Sequence, residues 1–414
     1  MRILWLSHLV PYPPKGGVQQ RSYNLIRELS RHHQVDVVAF HQAAHHASAV
    51  ALAEAVEHMN RFCRLRAVLP LPVDGGRWRK PLMALRSLWG HPYTVRWTQC
   101  ASYAAAIGEA LADTDYDVVH FDTISLAPYA QLPGKMQQLP RLMNHHNIES
   151  AMLRRRAQLD SSPLRAWYYR QEGTRLARYE QQTADQFAAH LVCSALDGER
   201  LQAQCRTVQC VEVIPNGVDT EYFRHDPELP AAPQDSLIFA GRLDWYPNAS
   251  AMHWCISDLW PRIKALRPTA RMAIAGKAPA VQLLEAAAAD SALTVPGFVD
   301  DIRPWIQGAQ VYLCPITDGG GTKLKILDAL AMGCAIVAHP IACEGIEVTD
   351  GLNVLLADTA EGLVSHCLRL FDDPALRARL SAAAVELAES TYTFTSIGSK
   401  LAAVCSSVAT ANPH

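Results

Sequence analysis

Two lysines, Lys323 and Lys325, stand in the first turn of an amphipathic segment, where acidic side chains are normally preferred. They follow three glycines, Gly319-Gly320-Gly321, and Thr322. Glycines let backbone N–H groups come close to a ligand, and the N–H groups that open a helix have no partner within it. Cations beside such amides suit a bound anion, with phosphate the expected class. Two solvated lysines are the plainer reading of the same residues. A second candidate is Asp117-Val118-Val119-His120-Phe121-Asp122, an apolar run whose alternation puts His120 and Asp122 on one side. Facing a cleft, such a pair could orient or deprotonate a hydroxyl. Inside a core, His120 would simply be a hydrogen-bonded packing residue. Gly16 and Gly17, which end a proline-rich loop, could likewise bring amides to an anion or form an ordinary tight turn.

The elements that position these residues alternate between strand and helix. Val311–Pro315 reads as a buried strand, 322–332 as a helix, Gly333 as its C-cap glycine and Cys334–Ala338 as the next strand. That is one βαβ unit with its glycine loop at a strand's carboxyl end, where open α/β sheets bind ligands. Residues 3–6, 19–31 and 35–40 form a similar unit around Gly16-Gly17. Residues 45–115 read as alanine-rich and helical, with a basic, aromatic loop (Arg61, Arg64, Arg66, Arg77, Trp78, Arg79, Lys80, Arg86, Trp89) that suits either a membrane surface or plain solvation. Asn144-His145-His146-Asn147 ends a further strand. Arginines 154–156, 165, 170, 175 and 178 then continue at helical spacings, usually a solvated face but here also a candidate surface for an anionic acceptor or lipid. Residues 191–194 read as the last strand of the first domain, and prolines 227, 230 and 233 as linker. A second alternation begins at Leu237 and closes with helices near 376–390 and 396–404.

Length supports two domains, and 49% hydrophobic against 19% charged residues excludes a disordered chain. Residues 1–210 carry 24 Lys and Arg against 17 Asp and Glu, whereas the remainder is acidic, so the halves differ in the partners they suit. No basic helix or aromatic–basic interleaving of a nucleic-acid reader is present, so nucleic acid is not an expected partner. The 11 cysteines lack C-x-x-C pairs, and several sit in apolar runs, as thiols do in a reducing compartment. The opening residues read as a strand and not as a signal peptide, and no run reaches the ~20 apolar residues of a membrane span. The expectation is a cytoplasmic protein with, at most, peripheral contact at the inner face of a membrane.

In order, the chain holds a Gly-Gly loop, Pro-Asn-Gly-Val-Asp at 215–219, Gly-Arg-Leu at 241–243, Gly-Phe-Val at 297–299 and GGGTKLKILDALAMG at 319–333. This series resembles the retaining family-4 glycosyltransferases, and the Asn-Ile-Glu stretch at 147–149 before an Arg-rich helix looks like members that build exopolysaccharide or lipid-linked sugars. The resemblance implies an α/β GT-B fold of two Rossmann-like, doubly wound domains separated by a cleft. On that pattern residues 1–206 bind the acceptor, 207–390 bind the nucleotide sugar, and a C-terminal helix in 391–414 crosses back to the first domain. It implies a UDP- or GDP-linked sugar as donor substrate, a saccharide or lipid-linked acceptor, and neither cofactor nor metal.

Position by position, Arg242 beside Gly241 would pair with the donor diphosphate. Asn248 lies where the family's lysine stands, so Lys323 is expected to substitute. Gly16, Gly17, Asp318, Gly319, Gly320, Gly321, Thr322 and Leu324 would line the donor site, with Phe298 and Val299 at the base. The family's E-x7-E falls on Gly320 and Asp328; Asp328 would take the ribose hydroxyls, and Asp318 would partly compensate for Gly320. Asp122, or His120 in a shifted register, would lie nearest the anomeric carbon. Two other readings stay open: a catalytically silent binding subunit, which the glycine at 320 motivates, and a nucleotide-sugar epimerase.

Overall fold

The computed structural model describes residues 1–411 apart from 44, 47, 76–82, 84–86 and 88–89. Arg77, Trp78, Arg79, Lys80, Arg86 and Trp89 of the expected basic loop therefore lie outside the described residues. The chain forms two compact units, Met1–Pro215 with Ile397–His414, and Asn216–Ser396. Strands and helices of eight or more residues are numbered below.

The first unit is built on a seven-stranded parallel sheet, ordered β3-β2-β1-β4-β5-β6-β7. Its strands are β1 (Arg2–Ser7), β2 (Gln34–His41), β3 (Arg64–Pro70), β4 (Val118–Phe121), β5 (Arg141–His145), β6 (Ala189–Val192) and β7 (Val211–Val213). Almost every residue of β1 and all of β4 are buried, as strands covered on both faces must be. Helices α1 (Gly17–Ser30), α2 (Ala49–Met59), α3 (Ala101–Asp113), α4 (Glu149–Leu159), α5 (Pro163–Thr183) and α6 (Ala195–Gln204) belong to the same unit.

Three sequence expectations change here. Residues 64–70, read as part of a helical and basic stretch, form edge strand β3, with Arg64 and Arg66 on it; these two charges interrupt the apolar run that marks the buried strands. Strand β7 lies beyond residue 206 and pairs with β6, so the first sheet ends past the expected boundary. The closing helix, placed at 396–404, runs from Phe394 to Ala411, and Ile397, Leu401 and Cys405 are fully buried in the core of the first unit.

The second unit carries a six-stranded parallel sheet, ordered β10-β9-β8-β11-β12-β13. The strands are β8 (Ser236–Ala240), β9 (Arg271–Ala275), β10 (Leu293–Gly297), β11 (Val311–Cys314), β12 (Ala335–Ala338) and β13 (Leu355–Leu356). Helices α7 (Tyr246–Trp254), α8 (Val281–Ala289), α9 (Leu324–Ala331), α10 (Ala360–Asp372) and α11 (Pro374–Thr391) pack on it, and Phe394–Ala411 is α12.

Helix α9 shows how local sequence places the glycine loop. Ile326, Leu327 and Leu330 are fully buried in the core, each worth roughly 1.5–3 kcal/mol relative to exposure. At its end Gly333 takes φ +66°, Gly333 N–H donates to Leu330 O and Cys334 N–H to Ala329 O, the two bonds of a Schellman stop. The chain then enters β12 directly, so loop 315–323 is fixed between a buried strand and an anchored helix. Among the described residues no helix is long and apolar enough to cross a membrane, and all 11 cysteines are free.

Candidate functional site

Both sheets reverse strand order once, at β1/β4 in the first unit and at β8/β11 in the second. Crevices outside strand carboxyl ends at such points are where doubly wound sheets bind ligands. Each unit gathers its unusual polar groups at this place.

In the second unit the groups come from the ends of β8 and β11 and from α9. Lys323 is the N-cap of α9 and is buried, with Nζ donating to Gly319 O at 2.7 Å. Lys325, two residues on, points elsewhere: its Nζ donates to Asn248 Oδ1 and lies 4.6 Å from the Phe239 ring centroid and 6.0 Å from that of Trp245. Asn248 is itself buried and donates Nδ2–H to Arg242 O at 2.6 Å, which ties α7 to the Gly241-Arg242 turn. A Cβ on Gly241 would fall 2.6 Å from Lys325 Nζ. Thus Lys325, and not Lys323, stands against Asn248 and Gly241, the position that the sequence resemblance reserves for a lysine. Burial drives the Lys325 ammonium down to about 8, with Lys323 adding repulsion and Asp328 opposing it. No carboxylate forms an ion pair with Lys325 among the described residues. A cation held out of water without a counter-ion is expensive, and an incoming anion would relieve it.

Arg242 remains largely exposed and is held in a two-point pair by Asp244, Nε–H to Oδ1 at 3.0 Å and Nη2–H to Oδ2 at 2.7 Å. The glycine loop lies beside Lys323 and against α7. Gly319 takes φ +105° against Pro247, and its N–H donates to Asp318 Oδ1 at 2.6 Å. The Thr322 hydroxyl is buried without a hydrogen-bond partner. Gly320 and Gly321 complete the turn, and Leu324 opens α9. Asp328, one turn beyond Lys325 on the same face of α9, has its carboxyl pushed up to about 7 by burial, partly opposed by Lys325. Gly276, at the end of β9, has to be glycine: a Cβ there would lie 1.7 Å from Gly241 O. Phe298 and Val299 follow edge strand β10, two strands away from β8; Phe298 is strongly exposed and Val299 half-buried.

The first unit gathers a different kind of site. Asp122, fully buried just beyond β4, accepts from Ser22 Oγ at 2.9 Å, while Asn144 donates Nδ2–H to its backbone oxygen at 3.2 Å. His146 Nε2 lies 3.3 Å from Oδ1 and His8 Nδ1 3.5 Å from Oδ2. Buried Arg21 donates to Asn144 Oδ1 at 3.0 Å and to Pro215 O at 2.8 Å. Burial alone would raise the Asp122 carboxyl, but His146 and His8 more than offset it and hold it well below the usual carboxylate range. Gly16 caps α1 and Gly17 opens it, the helix that delivers Arg21 and Ser22. His8, Asp122 and His146 offer donor atoms within 4.8 Å of one another, close enough to hold a metal. In this arrangement the carboxylate accepts one hydrogen bond from Ser22, on Oδ2, and faces both imidazoles.

His120 is not part of that cluster's hydrogen bonding. Its ring stacks on Trp5, centroids 3.5 Å apart, neither ring nitrogen has a partner, and burial lowers it to about 3. It packs as a neutral ring. His8, Arg21, Ser22, Asn144 and His146 were not singled out from the sequence for any role. The available signal was positional: His8, Asn144 and His146 are the polar residues that end β1 and β5.

A doubly wound parallel sheet in each of two units is the architecture of the GT-B fold. Family models agree with it. Residues 15–222 match the model described as Glycosyltransferase Family 4 and residues 234–373 the one described as Glycosyl transferases group 1, and the chain belongs to glycosyltransferase family 4. It is 29% identical over 181 residues to a phosphatidyl-myo-inositol mannosyltransferase of Mycolicibacterium smegmatis, covering 42% of this chain and 46% of that protein. The chain thus matches less than half the length of that relative. Two solved structures share the fold at low identity. Anabaena HepE in complex with UDP has a TM-score of 0.68 at 16% identity, covering 98% of this chain and all of that one. Sucrose-phosphate synthase from Thermosynechococcus elongatus has a TM-score of 0.70 at 15%, covering 99% and 100%.

Proposed function

We propose that the chain moves a sugar from a nucleotide-diphosphate donor to a polysaccharide or lipid-linked acceptor, with retention of anomeric configuration. The observation that carries this reading is the cation at Lys325, buried beside the amide-rich start of α9 and the Gly241-Arg242 turn with no carboxylate in an ion pair with it among the described residues. A diphosphate is a ligand whose charge suits such a site. As the sugar–phosphate bond breaks, negative charge grows on the leaving diphosphate, and Lys325, Lys323, Arg242, the Thr322 hydroxyl and the α9 amides stabilise it, at about 3 kcal/mol for a well-placed donor. Asp328, kept near neutrality by burial, binds the ribose hydroxyls, and Phe298 and Val299 border the base. Asp122, with His146 and His8, orients the transferred sugar and the acceptor hydroxyl. No metal takes part. UDP in the HepE complex supports a uridine donor, and the phosphoinositide mannosyltransferase supports a lipid-linked acceptor and a hexosyl group.

The test is thermal shift against UDP, GDP and their sugars, followed by transfer assays on wild type, Arg242→Ala and Lys323→Ala in the presence and absence of EDTA. A nucleotide that binds only the folded state adds about 2.7 kcal/mol at a hundredfold excess over its dissociation constant. Transfer that survives EDTA and falls in both variants, with product stereochemistry matching the donor by NMR, supports the reading. Equal trace activity in all three proteins would instead favour a silent binding subunit. Turnover of a nucleotide sugar without any acceptor would favour an epimerase.

A further inference from the structure

Helices α4 and α5 form an antiparallel hairpin joined by residues 160–162. They pack closely because Gly173 leaves room: a Cβ there would lie 3.2 Å from Ser150 O and from Leu153 Cβ. The turn end of this hairpin shows solvent three large apolar side chains, Leu159 (58% exposed), Leu164 (74%) and Trp167 (49%). Leu164 and Trp167 are three residues apart and so adjacent on α5. Around and behind them the hairpin exposes Arg154, Arg156, Arg165, Arg170 and Arg178. Its carboxylates are turned away from solvent. Glu180 accepts from Ser150 Oγ at 2.5 Å, Glu172 from Thr94 N–H at 3.1 Å, Glu149 is half-buried, and Asp160 is taken by Arg165 at 3.2 Å. No carboxylate of the hairpin is exposed.

We infer that the α4–α5 turn docks on a lipid bilayer bearing anionic headgroups. Apolar side chains that reach past a ring of arginines suit insertion at the headgroup boundary, with the guanidinium groups on lipid phosphates. Leaving Leu164 and Trp167 in water is unfavourable, and so is crowding exposed arginines of like charge on one surface; one anionic interface relieves both. A second copy of this chain fits less well, because a self-complementary contact would bring arginine against arginine. The inference is independent of the donor chemistry and would hold whatever sugar is moved.

The full chain is sedimented with vesicles of phosphatidylcholine alone and of phosphatidylcholine and phosphatidylglycerol in equal parts. The expected result is partition onto the anionic vesicles only, weakened by salt. Leu164→Glu with Trp167→Glu should reduce it at least tenfold (about 1.4 kcal/mol). Arg165→Gln with Arg170→Gln should reduce it about fivefold per arginine. All of these side chains are exposed, so melting temperature should hold, and the arginine pair serves if the apolar pair does not fold. Arg61→Gln with Arg64→Gln, on and before β3, should bind as wild type. No binding, equal binding to neutral vesicles, or loss only in the Arg61/Arg64 variant would overturn the inference.

Discussion

The two switch-point clusters solve different problems by different means. The β8/β11 site has cations at and beside a glycine loop, Lys323 and Lys325 largely buried and Arg242 exposed, and among the described residues no carboxylate forms an ion pair with Lys325. The β1/β4 site is a closed set in which Asp122 is already matched by His8, His146 and Ser22. The first keeps a buried ammonium short of opposite charge, whereas the second already surrounds its carboxylate with donors. An anion-binding site must keep its charges available, and a group that orients a hydroxyl must not move. The difference predicts opposite responses to substitution: stability should be sensitive at Asp122, and ligand binding at Lys325.

The largest effect is expected at Asp122. Asp122→Ala leaves two histidines and buried hydroxyls facing a void, and should lower the free energy of urea unfolding by roughly 3–5 kcal/mol. Asp122→Asn keeps the shape and should fold, but turnover should fall ~100-fold or more because the charge that orients the histidines is gone. If the asparagine variant turns over at the wild-type rate, the first cluster is structural only and the contrast disappears.

At Lys325 the ledger reverses. Lys325→Met removes a desolvated cation, so the apo protein should be no less stable, yet kcat/KM should fall by ~100-fold or more. A pH series sharpens this. In the free protein the folded-state value near 8 is below the ordinary 10.5, so the folding penalty is fully present below about 8 and is relieved as pH rises from there towards 10.5. A bound diphosphate favours the ammonium, so donor affinity should be full below about 8 and decline as pH rises through it. Calorimetry on wild type should show that decline, and on Lys325→Met a flat profile in the same range.

A smaller effect separates His120 from its neighbour. With both ring nitrogens unpartnered and the ring stacked on Trp5, His120→Phe should keep transfer within a few-fold of wild type and leave the melting temperature the same or higher. A loss comparable to that of Asp122→Asn would return His120 to the chemistry.

The same contrast explains what could be read from the residues alone. The β8/β11 site is nearly contiguous, since Gly319 to Asp328 supply most of it, and glycine, lysine and helix periodicity are local signals. Even there, which lysine faces the Gly241 turn depends on how a helix is phased against α7, and the sequence favoured Lys323. The β1/β4 cluster draws on positions 8, 21, 22, 122, 144 and 146, brought together only by strand order, so Asp122 was visible and its partners were not. Alternation put His120 and Asp122 on one side, but β4 ends at Phe121, and beyond a strand's end that rule no longer governs direction. Strand β3 was missed because a short edge strand with two arginines lacks the apolar run that marked its buried neighbours.

The smallest expected effect lies at the Arg242–Asp244 pair. Both side chains are well exposed, so solvent screens the pair and its contribution to stability is at most ~1 kcal/mol. Asp244→Asn should therefore leave the melting temperature nearly unchanged. It also removes a carboxylate that holds two guanidinium nitrogens, the same edge a diphosphate would take. If Arg242 is kept in reserve for the donor, Asp244→Asn should tighten UDP or GDP binding a few-fold, and Arg242→Lys, lacking the planar fork, should not recover wild-type affinity. Weaker nucleotide binding in Asp244→Asn would mean that Asp244 orients Arg242 for the ligand, and the second site would then share the prearranged character of the first.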